Sequence, residues 1–142
     1  MKWKVEVYSC FLDDEEINIY YEGGDPEKLW RLEGDKAWGE FPTLKEAKKE
    51  VKEKYGKDLK FAPSVWVLEV SIGSETIYVE IERTKEGAFA VEIDAPYVEV
   101  GNMALVTMPT LAAAKRGCEA LVEGVLCFLE ARGWKRGENK RG

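Results

Sequence analysis

Residues that could move protons, attack carbon or hold metals are few in this sequence, and their spacing suits none of those tasks. General acid–base and nucleophilic catalysis most often recruit histidine, and the chain has no His. Cysteines occur at Cys10, Cys118 and Cys127, with no C-x-x-C pair. Cys118 and Cys127 fall on one predicted helix, about 13 Å apart at the helical rise per residue, too far to bridge. All three read as small apolar residues in a reducing compartment. The densest acidic run, Asp13-Asp14-Glu15-Glu16, lacks the alternating oxygen-ligand spacing of a calcium loop and reads as a turn between strands. No phosphate loop or dinucleotide fingerprint is present. The expectation is a protein without metal or cofactor, and not an enzyme.

The elements that position these residues show a repeat. FPTLKEAK at residues 41–48 returns as MPTLAAAK at 108–115. Upstream, Trp3, Val5 and Val7 align with Trp66, Leu68 and Val70. Ile17, Ile19 and Tyr21 align with Ile77, Val79 and Ile81, and Trp30 and Leu32 with Val91 and Ile93. Each copy alternates apolar and polar residues over three strands, the mark of a sheet buried on one face. A helix then begins at Thr43 or Thr110, each placed as an N-cap, and Thr43 and Glu46 complete a capping box. Gly56 and Gly133 stand where a left-handed glycine would close each helix. The predicted fold is α+β: tandem βββα units with antiparallel sheet and both helices packed on one face. The units span 1–56 and 65–133, with a linker at 57–64 and a basic flexible tail at 134–142.

The two helices are unequal. The first, from Leu44 to Tyr55, has one narrow apolar stripe of Leu44, Ala47, Val51 and Tyr55. The second, from Leu111 to Arg132, is predicted to cover its sheet with Ala114, Cys118, Leu121, Val125 and Phe128. A second stripe, Ala113, Gly117, Ala120, Gly124, Cys127 and Ala131, consists of small residues that allow close approach of another helix. The partner would be the first helix or a second copy; the first helix has little apolar surface to spare, which favours a homodimer.

The net charge of −6 is segregated: residues 43–60 carry +3, residues 132–142 carry +4, and the remainder −13. By strand parity Glu6, Glu33, Glu69, Glu80 and Glu92 share the outward sheet face with Tyr8, Tyr20 and Tyr78. Aromatic sheet faces with basic neighbours suit single-stranded RNA. Acidic neighbours repel phosphate and attract a basic protein instead. The plainer reading is of solvated strand positions. The alternative is nucleic-acid binding through Lys48, Lys52, Lys135 and Arg136.

No apolar run is long enough to span a bilayer and Met-Lys-Trp-Lys leads straight into a strand pattern, so a cytoplasmic location is expected. The absence of glutamine, the scarcity of asparagine and the wealth of Glu and Lys match the composition of thermophile proteins.

The stretch IYVEIERTKEGAFAVEID, followed by Thr110-Leu-Ala-Ala-Ala114 opening a helix, resembles HicB-type antitoxin domains, which share a βββα partial ribonuclease-H-like core. The likeness covers roughly residues 75–132. It departs from the family at Met108-Pro109, where a glycine and an acid are usual, and in its shortened Ala95-Pro96-Tyr97 segment. The resemblance implies a non-catalytic protein that masks a basic RNA-cleaving toxin.

Overall fold

A computed structural model of the chain describes residues 1–95 and 107–137. Eight strands and two helices occur among them: β1 (Trp3–Leu12), β2 (Glu15–Tyr21), β3 (Trp30–Glu33), β4 (Trp38–Phe41), α1 (Leu44–Tyr55), β5 (Ala62–Ile72), β6 (Glu75–Arg83), β7 (Phe89–Asp94), β8 (Thr107–Met108) and α2 (Leu111–Ala131). The fold is α+β and its named strand pairings are antiparallel. Two units divide the chain: Val5–Ser64 is one, and Met1–Lys4 with Val65–Gly142 the other. None of the described helices is long and apolar enough to cross a membrane.

In the Val5–Ser64 unit the strands run as a meander, β1 beside β2, β2 beside β3, β3 beside β4. Residues directly opposite across antiparallel strands share a face. Ile17 and Ile19 of β2 pair with Cys10 and Tyr8 of β1, and Ile19 pairs with Leu32 of β3. Cys10, Ile17, Ile19, Leu32, Ala37, Ala47 and Val51 form the buried cluster, ringed by Trp30, Phe41, Leu44, Tyr55, Leu59 and Phe61. Burying each large member contributes roughly 1.5–3 kcal/mol. The expected α1 stripe of Leu44, Ala47, Val51 and Tyr55 is therefore the face that packs. Thr43, in extended backbone, accepts a hydrogen bond from the Glu46 N–H at 3.1 Å. Gly56, at φ 71°, donates its N–H to the Lys52 carbonyl and ends the helix.

The Val65–Gly142 unit repeats this order with β5 through β8 and α2. Thr110 caps α2 with backbone angles within 1° of those at Thr43. Trp66, Leu68, Ile77, Val79, Ile81, Phe89, Val91 and Ile93 fill one sheet face. From α2 the buried residues are Ala114, Cys118, Val122, Val125, Leu126 and Leu129. Leu121 and Phe128, expected in that core stripe, lie 40 % and 51 % exposed. The stripe is rotated by about one residue because α2 is apolar nearly all round, and periodicity alone did not separate its two faces.

The expected alignment also fails in β1. The hairpin turns Asp13-Asp14 and Gly73-Ser74 place positive φ at their first residues, 54° and 57°. They fix an offset of 60 between β1–β2 and β5–β6, so Tyr8, Cys10 and Leu12 correspond to Leu68, Val70 and Ile72. The alignment of Trp3 with Trp66 has an offset of 63 instead. A shift by an odd number exchanges the two faces of a strand, which carries Tyr8 to the helix-covered side.

Trp134–Gly137, expected as the start of a flexible tail, is held in place. The Gly73 N–H donates to the Lys135 carbonyl at 2.6 Å and the Gly137 N–H to the Ser71 carbonyl at 2.9 Å. The Trp134 ring lies against Gly73. The rest of the expected tail, 138–142, lies outside the described residues.

One polar knot ties the β3–β4 connection. The Tyr55 hydroxyl donates to the Glu15 carboxylate, which also accepts the Asp35 N–H at 2.6 Å. The Lys36 N–H donates to the Tyr55 oxygen at 3.1 Å. The Tyr55 bond, then the Asp35 N–H, hold the Glu15 carboxyl below its ordinary value of 4.5. A carboxyl whose pKa is lowered on folding stabilises the fold fully above its unfolded value, and the contribution fades as pH falls through the folded one. Tyr55→Phe should raise the Glu15 pKa and flatten the acid limb of the stability curve below about pH 4.5. Carboxyl NMR titration together with urea midpoints from pH 3 to 6 checks this; an unmoved Glu15 titration refutes it.

Candidate binding faces

Two of the three thiols are poor nucleophiles. Burial raises the Cys118 thiol to about 11, with the neighbouring Glu119 charge adding to it. Burial, then the Glu15 charge, also raises Cys10. Cys127 is exposed on α2. The buried hydroxyl of Ser9 donates to Asn18 Oδ1 and contacts Ser64 Oγ at 2.7 Å. Ser64 in turn donates to the Val7 carbonyl at 3.3 Å. An amide and a second hydroxyl satisfy Ser9 but supply no base to activate it. Among the described residues, no three His, Cys, Asp or Glu side chains group as metal ligands.

The sheet face of β5–β7 opposite its apolar core is acidic. The register sets Glu69 against Tyr78, Tyr78 against Asp94, Glu80 against Glu92, and Val67 against Glu80. Glu69, Glu82, Glu92 and Asp94 are exposed, and Tyr78 and Glu80 half-buried. The Tyr78 hydroxyl reaches Glu80 Oε1 at 3.5 Å. None of the β5–β7 positions on this face is Lys or Arg. Like charges directly opposite destabilise a sheet pair, so Glu80 against Glu92 works against folding.

The open face of the other unit is different. Tyr20, Arg31, Glu33 and Trp38 share it by register. Arg31 lies 4.9 Å from the centroid of the Tyr20 ring and pairs with Glu22 at 3.0 Å and Glu33 at 3.2 Å. Burial, then the Glu33 charge, raises the Tyr20 phenol. Such exposed pairs contribute roughly 0–1 kcal/mol each. The expected set is thus split: Glu69, Tyr78, Glu80 and Glu92 come together on one unit, Tyr20 and Glu33 on the other. Tyr8 belongs to neither open face. It lies beneath Lys48, whose ammonium is 5.5 Å from the ring centroid, and 6.0 Å from the Trp30 ring. Glu6 is half-buried earlier in β1. The two-residue turns were the signal that would have placed Tyr8 correctly.

The basic residues are also divided between the units. Lys48 and the exposed Lys52 belong to α1. Lys135 gives its backbone to the β5 end. Arg136, counted as a free cation from the sequence, bonds Glu123 at 2.7 and 3.2 Å and Glu130 at 2.8 Å. Those bonds hold the Glu123 carboxyl below its ordinary range.

The outer face of α2 keeps the small residues that the sequence singled out. Ala120, Gly124, Cys127 and Ala131 are exposed, and Ala113 and Gly117 are half-buried. The exposed Leu121 and Phe128 lie alongside them. Gly117 and Gly124 each cost the helix roughly 1 kcal/mol against alanine.

No family model, no curated protein and no solved structure matches this chain.

Proposed function

We propose that this is a non-catalytic binding protein whose acidic β5–β7 face docks a basic protein partner, in the manner of an antitoxin or inhibitor. The observation that carries this reading is the five-carboxylate face of Glu69, Glu80, Glu82, Glu92 and Asp94 around Tyr78, without a Lys or Arg at its strand positions. A face of one sign repels nucleic-acid phosphate and steers a cationic surface toward it. Tyr78 supplies the large amphipathic side chain that interfaces favour. The matching element order, hairpin turns and helix caps of the two halves support an origin by duplication, each copy a ββββα unit rather than βββα. The likeness of residues 75–132 to HicB-type antitoxin domains supports a masking role.

Charge reversal tests the reading. Glu92→Lys places a cation opposite Glu80, so the free protein should be as stable as the parent or slightly more so. Binding to the partner should weaken roughly 100-fold, because like-charge contact at an interface costs several kcal/mol. The experiment is affinity capture of basic proteins from nuclease-treated lysate, followed by titration of the identified partner against wild type, Glu92→Lys, and Lys48→Ala/Lys52→Ala. Capture from untreated lysate that vanishes with nuclease, or that fails only with the lysine variant, would instead favour nucleic-acid binding through α1.

A further inference from the structure

We infer that the outer face of α2 is a self-association surface that pairs with α2 of a second copy, antiparallel about a twofold axis. The inference rests on α2 alone and is independent of the acidic face. Gly117, Leu121, Gly124, Phe128 and Ala131 are spaced 4, 3, 4 and 3 residues apart, the stagger of a two-helix seam. Ala114, Cys118, Val122, Val125, Leu126 and Leu129 face the helix's own sheet, so the seam is a second face, left open by the described residues of the unit.

The described residues give the glycines on it no packing reason. Among the described residues, a Cβ added at Gly124 would meet nothing within 4 Å, and one at Gly117 only the Met108 Cε at 3.8 Å. Glycine is disfavoured in a helix interior. Retaining two where the described residues leave room for side chains points to a backbone approaching from outside.

The order of sizes identifies that backbone. Read forward, the seam is small, large, small, large: Gly117, Leu121, Gly124, Phe128. Read backward, it is its own complement. In an antiparallel pair Leu121 meets Gly124 of the second copy and Phe128 meets Gly117, and the twofold repeats both contacts. A parallel pair would oppose Phe128 to Phe128 and glycine to glycine, alternating collision with void. Contact along about 20 Å of helix is smaller than a standard specific interface, so association is expected in the micromolar range.

The test begins with sedimentation equilibrium of the full chain from about 1 to 200 µM. A dimer is expected; a monomer throughout would overturn the inference. Gly124→Leu should weaken association roughly 10- to 100-fold while leaving the melting temperature of the dilute monomer unchanged or raised, since the described residues leave space there. Undiminished dimerisation by that variant would also refute it. Orientation is read by mixing Leu121→Cys with Gly124→Cys, both carrying Cys127→Ser, under mild oxidation. The mixed disulfide should dominate, whereas a dominant 121–121 disulfide would show the helices to be parallel.

Discussion

Replacing Gly73 with alanine should cost roughly 3 kcal/mol of stability, a large share of what a domain of this size possesses. Two separate causes add. The residue sits at φ 57°, where an L side chain is strained by about 1 kcal/mol or more. A Cβ there would also overlap Cε3 of the Trp134 ring and lie 2.5 Å from its Cζ3, so the indole must move. Moving it exposes aromatic surface worth roughly 1–2 kcal/mol and disturbs the hydrogen bonds from Gly73 to Lys135 and from Gly137 to Ser71. Alanine narrows the unfolded ensemble and returns less than 1 kcal/mol, which does not offset the loss. Urea unfolding measures the total. In a Trp134→Ala background the same substitution should cost only its backbone part, about 1 kcal/mol. Equal costs in both backgrounds would show that the indole does not press on this turn.

Leucines five positions apart on α2 should behave oppositely. Leu126 is 1 % exposed and Leu121 is 40 % exposed. Leu126→Ala removes a buried side chain and leaves a cavity, at a cost of about 2–5 kcal/mol. Leu121→Ala removes a side chain that faces outward and should cost about 0.5 kcal/mol. Both are to be measured at sub-micromolar concentration, where self-association contributes little. The reverse ranking would rotate α2 on its sheet and remove the outer seam with it.

That pair also marks where sequence reading stops working. β2, β3, β6 and β7 were legible because their inward apolar residues alternate with outward residues that are mostly polar, among them Asn18, Tyr20, Arg31, Tyr78, Glu80 and Glu92, and a half-buried strand leaves that signature. The helix starts were legible because Thr43 and Thr110 are chemically required where orphan N–H groups need an acceptor. In α2, Ala, Leu, Val and Cys occur around most of the circumference, so the faces differ in side-chain size more than in polarity. In β1, Val5, Val7 and Cys10 offer apolar residues of both parities, and only the turn at Asp13 decides between them. The strand β4, WGEF, has a glycine at one of its two inward positions, and β8 is only two residues long, so neither leaves an alternating pattern. The fate of Arg136 was hidden because its partners Glu123 and Glu130 stand 13 and 6 residues away, off any local pattern. The acidic face survived because its members come mainly from strands whose parity was read correctly.

The division of the chain into Val5–Ser64 and the remainder also has a consequence for synthesis on the ribosome. All seven buried residues of the first cluster lie between Cys10 and Val51, so that core can close while the second half is still being translated, at roughly 5–20 residues per second. Trp3 has no such early partner: its indole donates to Glu119, 116 positions later, and Lys115 stands over its ring. Trp3 thus leaves the tunnel before that core and finds its place after it. For several seconds Trp3 waits for the helix that receives it. A nascent chain stalled after about residue 100 should therefore show protease protection from β2 through α1 and none at Trp3.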